Sequence, residues 1–366
     1  RISQFLVQMA LTDAEAEANM DAGDAEWEAR EQLSDMGLAR VYAVKILAHW
    51  LAGMERSSVT REIVQMVMGT LRQLVRGSGF GRSAVTQHCV LVAASSMLKI
   101  AGRGHLERAV GVADGQSLAL VVQDATFEVR SSFLLDKLVP ALASRRVHAR
   151  FIPLVFLAAH EVEPGVLDHV RHAVEQRLSQ FRPTPGSPSL VESSLPRLLH
   201  ILAHHPDWDD AEPLRTLELF AHYVDFYISC VCSAQNVSLL FCLAAKVKSA
   251  RSKVQGGQHT QRLYVLSELA QFLLREKSKA ANWPVNVYPG ELQLPDDLFE
   301  MVDGTDQMRE SYLDPEFVAL RSKTSGSGAK RTRTKPKRVA KPSKKSRGKQ
   351  PQVDSDSDAM DEVSDN

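Results

Sequence analysis

The stretch PRLLHILAHHPDWDD, from Pro196 to Asp210, gathers the residue types that bind metal: His200, His204 and His205, then Asp207, Asp209 and Asp210. On a helix His200 and His204 would share one face, as zinc ligands often do. A catalytic zinc needs a third ligand in fixed geometry and partners that orient each imidazole. His205 would point about 100° away from His204, and Pro206 marks the end of the helix. The competing reading is a helix terminus, where histidines in the last turn interact favourably with the negative helix end. That reading is the stronger, so no metal and no cofactor are expected.

Other candidate motifs weaken in the same way. GSGFG, Gly77 to Gly81, looks like a phosphate loop, but no strand precedes it and no Gly-Lys-Ser/Thr follows. AAHEVEP opens like a zinc-protease motif at His160, yet Pro164 stands where the second His belongs. His169 and His172 fall among polar residues of an amphipathic helix, and no Gly-x-Ser-x-Gly elbow or paired-carboxylate pattern is present. Cys89, Cys230, Cys232 and Cys242 lack paired spacing, so they read as buried reduced thiols of a cytosolic or nuclear protein. The Asn236 sequon reads as chance in that setting. No catalytic residue is expected, and the chain is not expected to be an enzyme.

The elements that carry these residues are helical. The chain has 366 residues, 44% hydrophobic and only 6% aromatic, a balance that favours helices. Val41, Val44, Ala48 and Leu51 form one apolar stripe; Ile63, Met66, Val67, Leu71 and Leu74 form another; Leu263, Leu266, Ala270 and Leu273 a third. No run of alternating strand residues is evident. The longest strongly apolar run, Phe151 to Ala159, is nine residues, too short for the roughly 20 a bilayer needs. Starting at Arg1 rather than Met, the sequence is expected to be part of a longer chain.

A repeat organises the helices. Val129-Arg130 and Val170-Arg171 each sit near a helix start, 41 residues apart, and each follows an apolar helix, SLALVVQ or FIPLVFLAAH. LPRLLHILAHHP begins a third unit, paired with PLRTLELFAHYVDFYISCV. Two helices every ~40–47 residues is the HEAT-type pattern. Asp124 and Arg130 sit where such repeats place a polar pair at the turn between helices, although Gly165 replaces the Asp in the next unit. The expected fold is all-α, a HEAT-type helical-repeat solenoid over 1–280 forming a curved rod. Stacking on both sides would also bury Ile46 and Trp50. Residues 281–321 are expected to form a strap across the last helices, anchored by Leu298, Phe299, Tyr312 and Leu313.

Residues 322–366 are expected to be a disordered tail. Segment 322–350 holds twelve Lys or Arg and no acid, while 351–366 holds six acids and no base, so the zero net charge hides a mildly acidic body. Lys330, Arg331, Arg333, Lys335, Lys337, Arg338, Lys341, Lys344, Lys345, Arg347 and Lys349 suit phosphate-backbone contacts to DNA, or a nuclear-import signal. Ser355, Ser357 and Ser364 lie beside acids and are candidate sites for an acid-directed kinase.

Three motifs carry a family resemblance. VYAVKILAHWLAGM resembles a V-x-A-[IV]-K-[IL]-L-x-x-W-L-x-G-M helix, LLHILAHHPDW resembles an H-[IL]-L-A-H-x-P-D-[FW] helix end, and QDATFEVRSSFLLDKLVPAL resembles a D-x-x-x-x-V-R-x-x-F repeat helix. With NVSLLFCLAAKVKSARSKVQGGQHTQRLYVLSELAQFLLREKSK, LPDDLF and SYLDPEF after them, the order from about Val41 to Leu320 resembles the C-terminal portion of the cohesin-associated sister-chromatid cohesion proteins. That HEAT-repeat family is named for precocious dissociation of sisters. The resemblance implies a non-enzymatic nuclear scaffold that binds the kleisin subunit of cohesin, a cohesin-release factor and the cohesin acetyltransferase, and acts in cohesion, the mitotic cell cycle and DNA repair. The family's release-factor pocket lies near its N-terminus, so no residue here is assigned to it. No membrane partner is expected. The alternative from another class is a HEAT-repeat nuclear transport carrier.

Overall fold

Local signals start the helices where the sequence places them. Ser34, Thr60 and Ser83 cap α2 (Asp35–Gly53), α3 (Arg61–Arg76) and α4 (Ala84–Ala101) by accepting from the amides of Gly37, Ile63 and Thr86. Proline stands in the first turn of α8 (Pro164–Gln176), α9 (Leu195–Ala203) and α10 (Pro213–Val231), where its missing N–H costs nothing. The remaining helices are α1 (Ile2–Leu11), α5 (Val112–Val122), α6 (Phe127–Ser131), α7 (Val139–Ala143), α11 (Val237–Val247), α12 (Gly257–Ala281) and α13 (Pro315–Ser327). This computed structural model describes residues 1–12, 26–77, 83–182, 187–254, 257–302 and 310–327. The tail positions Lys330 to Lys349 and Ser355, Ser357 and Ser364 lie outside the described residues, as does most of the Gly77–Gly81 loop.

Within residues 1–320 the helices pack in two rows. One row runs α1, α3, α5, a 3-10 helix (Ala149–His160), α9 and α11; the other runs α2, α4, α6 to α7, α8, α10 and α12. Each member touches the next in its row, which is consistent with an all-α repeat stack. One apolar core runs through both rows, from Val41 to Phe317.

Several elements depart from the sequence expectations. FIPLVFLAAH is a 3-10 helix, with Pro153 inside it and every residue from Phe151 to Ala159 buried. Proline removes a donor and clashes with the preceding turn of an α-helix, and packing on all sides holds the tighter form over an unusual length. A π-helical turn, Ser132–Leu138, joins α6 to α7 just ahead of Pro140, where it absorbs the same conflict. Ile46 and Trp50 are exposed rather than packed between neighbours. By length and composition α4 could cross a membrane, a feature the search for apolar runs missed; it is 78% buried among its neighbours, which accounts for its apolarity.

A short strand pair was also unforeseen. β1 (Ala250–Ser252) pairs antiparallel with β2 (Phe299–Met301), in register Ala250 with Met301. This pairing ties residues 294–302 to the bend after α11. Leu294, Leu298 and Phe299 are buried beside it; Leu313 and Phe317 are buried further on, and Tyr312 packs on Tyr264. Glu268 of α12 holds the second contact. Its carboxylate accepts from Lys248 Nζ at 2.6 Å and from the amides of Tyr312 and Leu313, both at 2.8 Å.

Candidate functional site

The histidine cluster resolves into a buried helix end. α9 stops at Ala203, so His204 is its C-cap and His205 lies beyond it. His200 and His204 stack at 4.3 Å, and His259 of α12 stacks on His204 at the same separation. His204 Nδ1 lies 2.8 Å from the His200 carbonyl and His259 Nδ1 lies 3.2 Å from the Ala203 carbonyl. Carbonyls accept only, so both rings donate there and cap the helix as neutral imidazoles. This corrects the charge–dipole argument. Burial, followed by the charges of His204 and Arg197, lowers the His200 pKa to about 3, and burial lowers that of His204. The rings stack instead of converging on a point, and among the described residues no group of three His, Cys, Asp or Glu is arranged to hold a metal ion.

His205 turns the other way, into a cleft of about 690 Å³ built from three successive turns. The first turn follows α5 at Gln123, the second follows the 3-10 helix at Glu161, and the third follows α9 at Pro206. Leu120, Leu157 and Leu219 give it an apolar floor, and Val162, 84% exposed, stands on its rim. Asp207 N donates to His205 Nδ1, leaving His205 Nε2 to donate to Gln123 Oε1 at 2.7 Å. Gln123 Nε2 in turn donates to the Tyr223 hydroxyl. Burial lowers the pKa of His205 and raises that of Tyr223 to about 12, so both are neutral near pH 7.

Asp124 and Arg130 both line this cleft. Arg130 Nη1 donates to the main-chain carbonyls of Asp124 and Ala125, and Asp124 Oδ1 accepts from the Thr126 amide, closing the turn. The guanidinium also reaches one repeat on, to Glu161, at 2.6 and 3.2 Å. Arg130 therefore holds Glu161 below the usual carboxylate range, against the effect of burial. Gln123, Glu161 and Tyr223 are site residues that the sequence reading missed. Glu161 had a usable signal, because it occupies the turn one repeat beyond Asp124.

No activated nucleophile accompanies the cleft. All four cysteines are free; Cys89 is buried, whereas Cys230, Cys232 and Cys242 are only half-buried, short of the full burial expected for them. Burial pushes Cys89 and Cys232 up to about 11, which keeps them as thiols. What the cleft offers is an apolar floor, neutral hydrogen-bonding groups and two carboxylates, Asp124 and Asp207, outside the Arg130–Glu161 pair.

The family model described as sister chromatid cohesion protein PDS5 matches residues 1–300. Among curated proteins, the chain is 24% identical over 318 residues to sister chromatid cohesion protein pds5 of Schizosaccharomyces pombe, covering 85% of this chain and 26% of that protein. It is 31% identical over 235 residues to PDS5 of Saccharomyces cerevisiae, covering 57% of this chain and 18% of that protein. With PDS5 homolog A of Homo sapiens it shares 22% identity over 275 residues, covering 70% of this chain and 20% of that protein. The chain thus spans about a fifth to a quarter of the length of these relatives. A match over residues 1–300, on two rows of stacked helices, makes this chain a member of the PDS5 family of sister chromatid cohesion proteins.

Proposed function

We propose that this chain is part of a non-enzymatic scaffold that regulates cohesin on chromosomes, in cohesion maintenance and release, the mitotic cell cycle and DNA repair. Its partners on this reading are the kleisin subunit of cohesin, the cohesin-release factor and the cohesin acetyltransferase, and its location is the nucleus. One observation carries the reading furthest: three turns of successive repeats meet in one cleft with an apolar floor and unspent acidic groups. Such a cleft suits an extended segment bearing apolar and basic side chains, docked by complementarity of shape and charge. The basic segment Lys330 to Lys349 adds electrostatic attachment to DNA, and phosphorylation at Ser355, Ser357 or Ser364 would weaken it by adding negative charge alongside.

Co-purification of cohesin with the full-length protein tests this, using Leu120→Asp with Val162→Asp to charge the rim. Both positions are exposed, so the fold should persist. Reduced recovery of cohesin supports the cleft as the docking surface. Undiminished recovery removes the cleft from the account, and no recovery by the unaltered protein removes the scaffold reading.

A further inference from the structure

A second, smaller pocket lies where α5, the 3-10 helix and α9 meet residues 297–298. Its volume is about 50 Å³, and Gly115, Gln116, Arg150, Arg197, His200 and Asp297 are on its walls. The polar groups there are unevenly satisfied. Arg197 forks onto Asp297, with Nη1 to Oδ2 at 2.9 Å and Nη2 to Oδ1 at 2.6 Å, so both carboxylate oxygens already accept and the two charges offset. Asp114, close by on α5, is taken in the same bidentate way by Arg72.

Arg150 has no such partner. Its Nη2 donates to the main-chain carbonyls of Glu107 and Val110, at 2.8 and 2.9 Å, and its Nε is buried without an acceptor. Gln116 Nε2, on the same pocket, is likewise buried without an acceptor. Leaving a buried donor unmet costs about 1–3 kcal/mol, and more for a charged group. The rest of the wall is apolar, with Phe151, Leu154 and Leu298, so the pocket presents unmet donors and no free acceptor.

That asymmetry defines what fits. A water molecule could accept from both donors, but its own hydrogens would point at apolar walls and a carboxylate already engaged. A cavity needs only about 10–15 Å³ to hold one water, so this one has room for a larger group. An oxyanion brings acceptors alone and a charge opposite to that of Arg150. We propose that this pocket binds a small oxyanion of the phosphate class, held by Arg150 Nε and Gln116 Nε2. Bound there, it bridges three consecutive members of one helical row and the segment that follows α12, and so stiffens a stack whose stability depends on neighbour contacts. This inference does not depend on the cohesin reading.

The test is thermal unfolding of the chain during titration with inorganic phosphate, against sodium chloride at equal ionic strength and pH. A saturable rise of the midpoint with phosphate, absent with chloride, is expected. Gln116→Leu removes one unmet donor without leaving another; it should need roughly tenfold more phosphate for the same rise. Gly115→Val provides an independent check, because a side chain there meets nothing within 4 Å and so should not disturb the fold. It should crowd the pocket and abolish the phosphate response. An equal response to chloride, or a wild-type phosphate response in both variants, overturns the proposal.

Discussion

Acid should unfold this protein through its buried histidines, and His200 sets the scale. The residue is 1% exposed, its Nε2 lies 3.0 Å from Ser252 Oγ, and its ring packs between His204 and Phe299. Its pKa falls from 6.5 in the unfolded chain to about 3 in the folded one. The unfolded state therefore takes up the proton first. The stabilising contribution is whole above pH 6.5 and declines as pH falls towards 3. Between pH 7 and pH 5 the linkage amounts to about 2 kcal/mol for this one group. His204, His205 and His160 are also lowered chiefly by burial, so each adds to the loss in the same direction. Urea denaturation at pH 7 and pH 5, followed by far-UV circular dichroism, measures it. His200→Phe keeps an aromatic ring on Phe299 and removes the titration. Whatever its stability at pH 7, the variant should lose about 2 kcal/mol less than the wild type on going to pH 5. Equal losses in the two proteins would refute the claim that His200 is buried and neutral.

Further perturbations probe other parts of the account. Glu268→Ala strips the acceptor from Lys248 and from two amides of residues 312–313, so it should destabilise by about 3–5 kcal/mol and expose the segment after α12 to limited proteolysis. In Gly102→Ala the new methyl would sit 2.3 Å from the Arg146 carbonyl oxygen, at a backbone angle any residue adopts; a loss of about 1–3 kcal/mol in chemical denaturation is expected from crowding alone. Gly69→Ala, inside α3 with open space around it, should instead stabilise by roughly 0.5–1 kcal/mol in the same assay. If the segment Lys330 to Lys349 binds DNA, its affinity should fall steeply and linearly on a logarithmic salt scale, and a salt-independent affinity would contradict that role.

Helices with an apolar face and a polar face could be read directly, as in α3 and α12. Their period is local and needs no knowledge of the partner. The 3-10 helix over Ala149–His160 could not be typed, because a segment buried on every side has no periodicity to read. β1 and β2 are three residues each and exist only because distant segments dock, so alternation had nothing to act on. The site divides along the same line. Asp124 and Arg130 are six residues apart and were legible, whereas His205 to Gln123 and Gln123 to Tyr223 join different repeats. The histidines of α9 misled because four-residue spacing suggests shared ligation, while stacking and carbonyl bonding use the same spacing to close a helix end.

The central claim is that this family member serves as a cohesin scaffold through its cleft. The most direct measurement is recovery of cohesin on the immobilised full-length protein, with and without Leu120→Asp and Val162→Asp. The account predicts recovery by the unaltered protein and a clear loss in the rim variant, at unchanged circular dichroism. Equal recovery by both, or none by either, would contradict it.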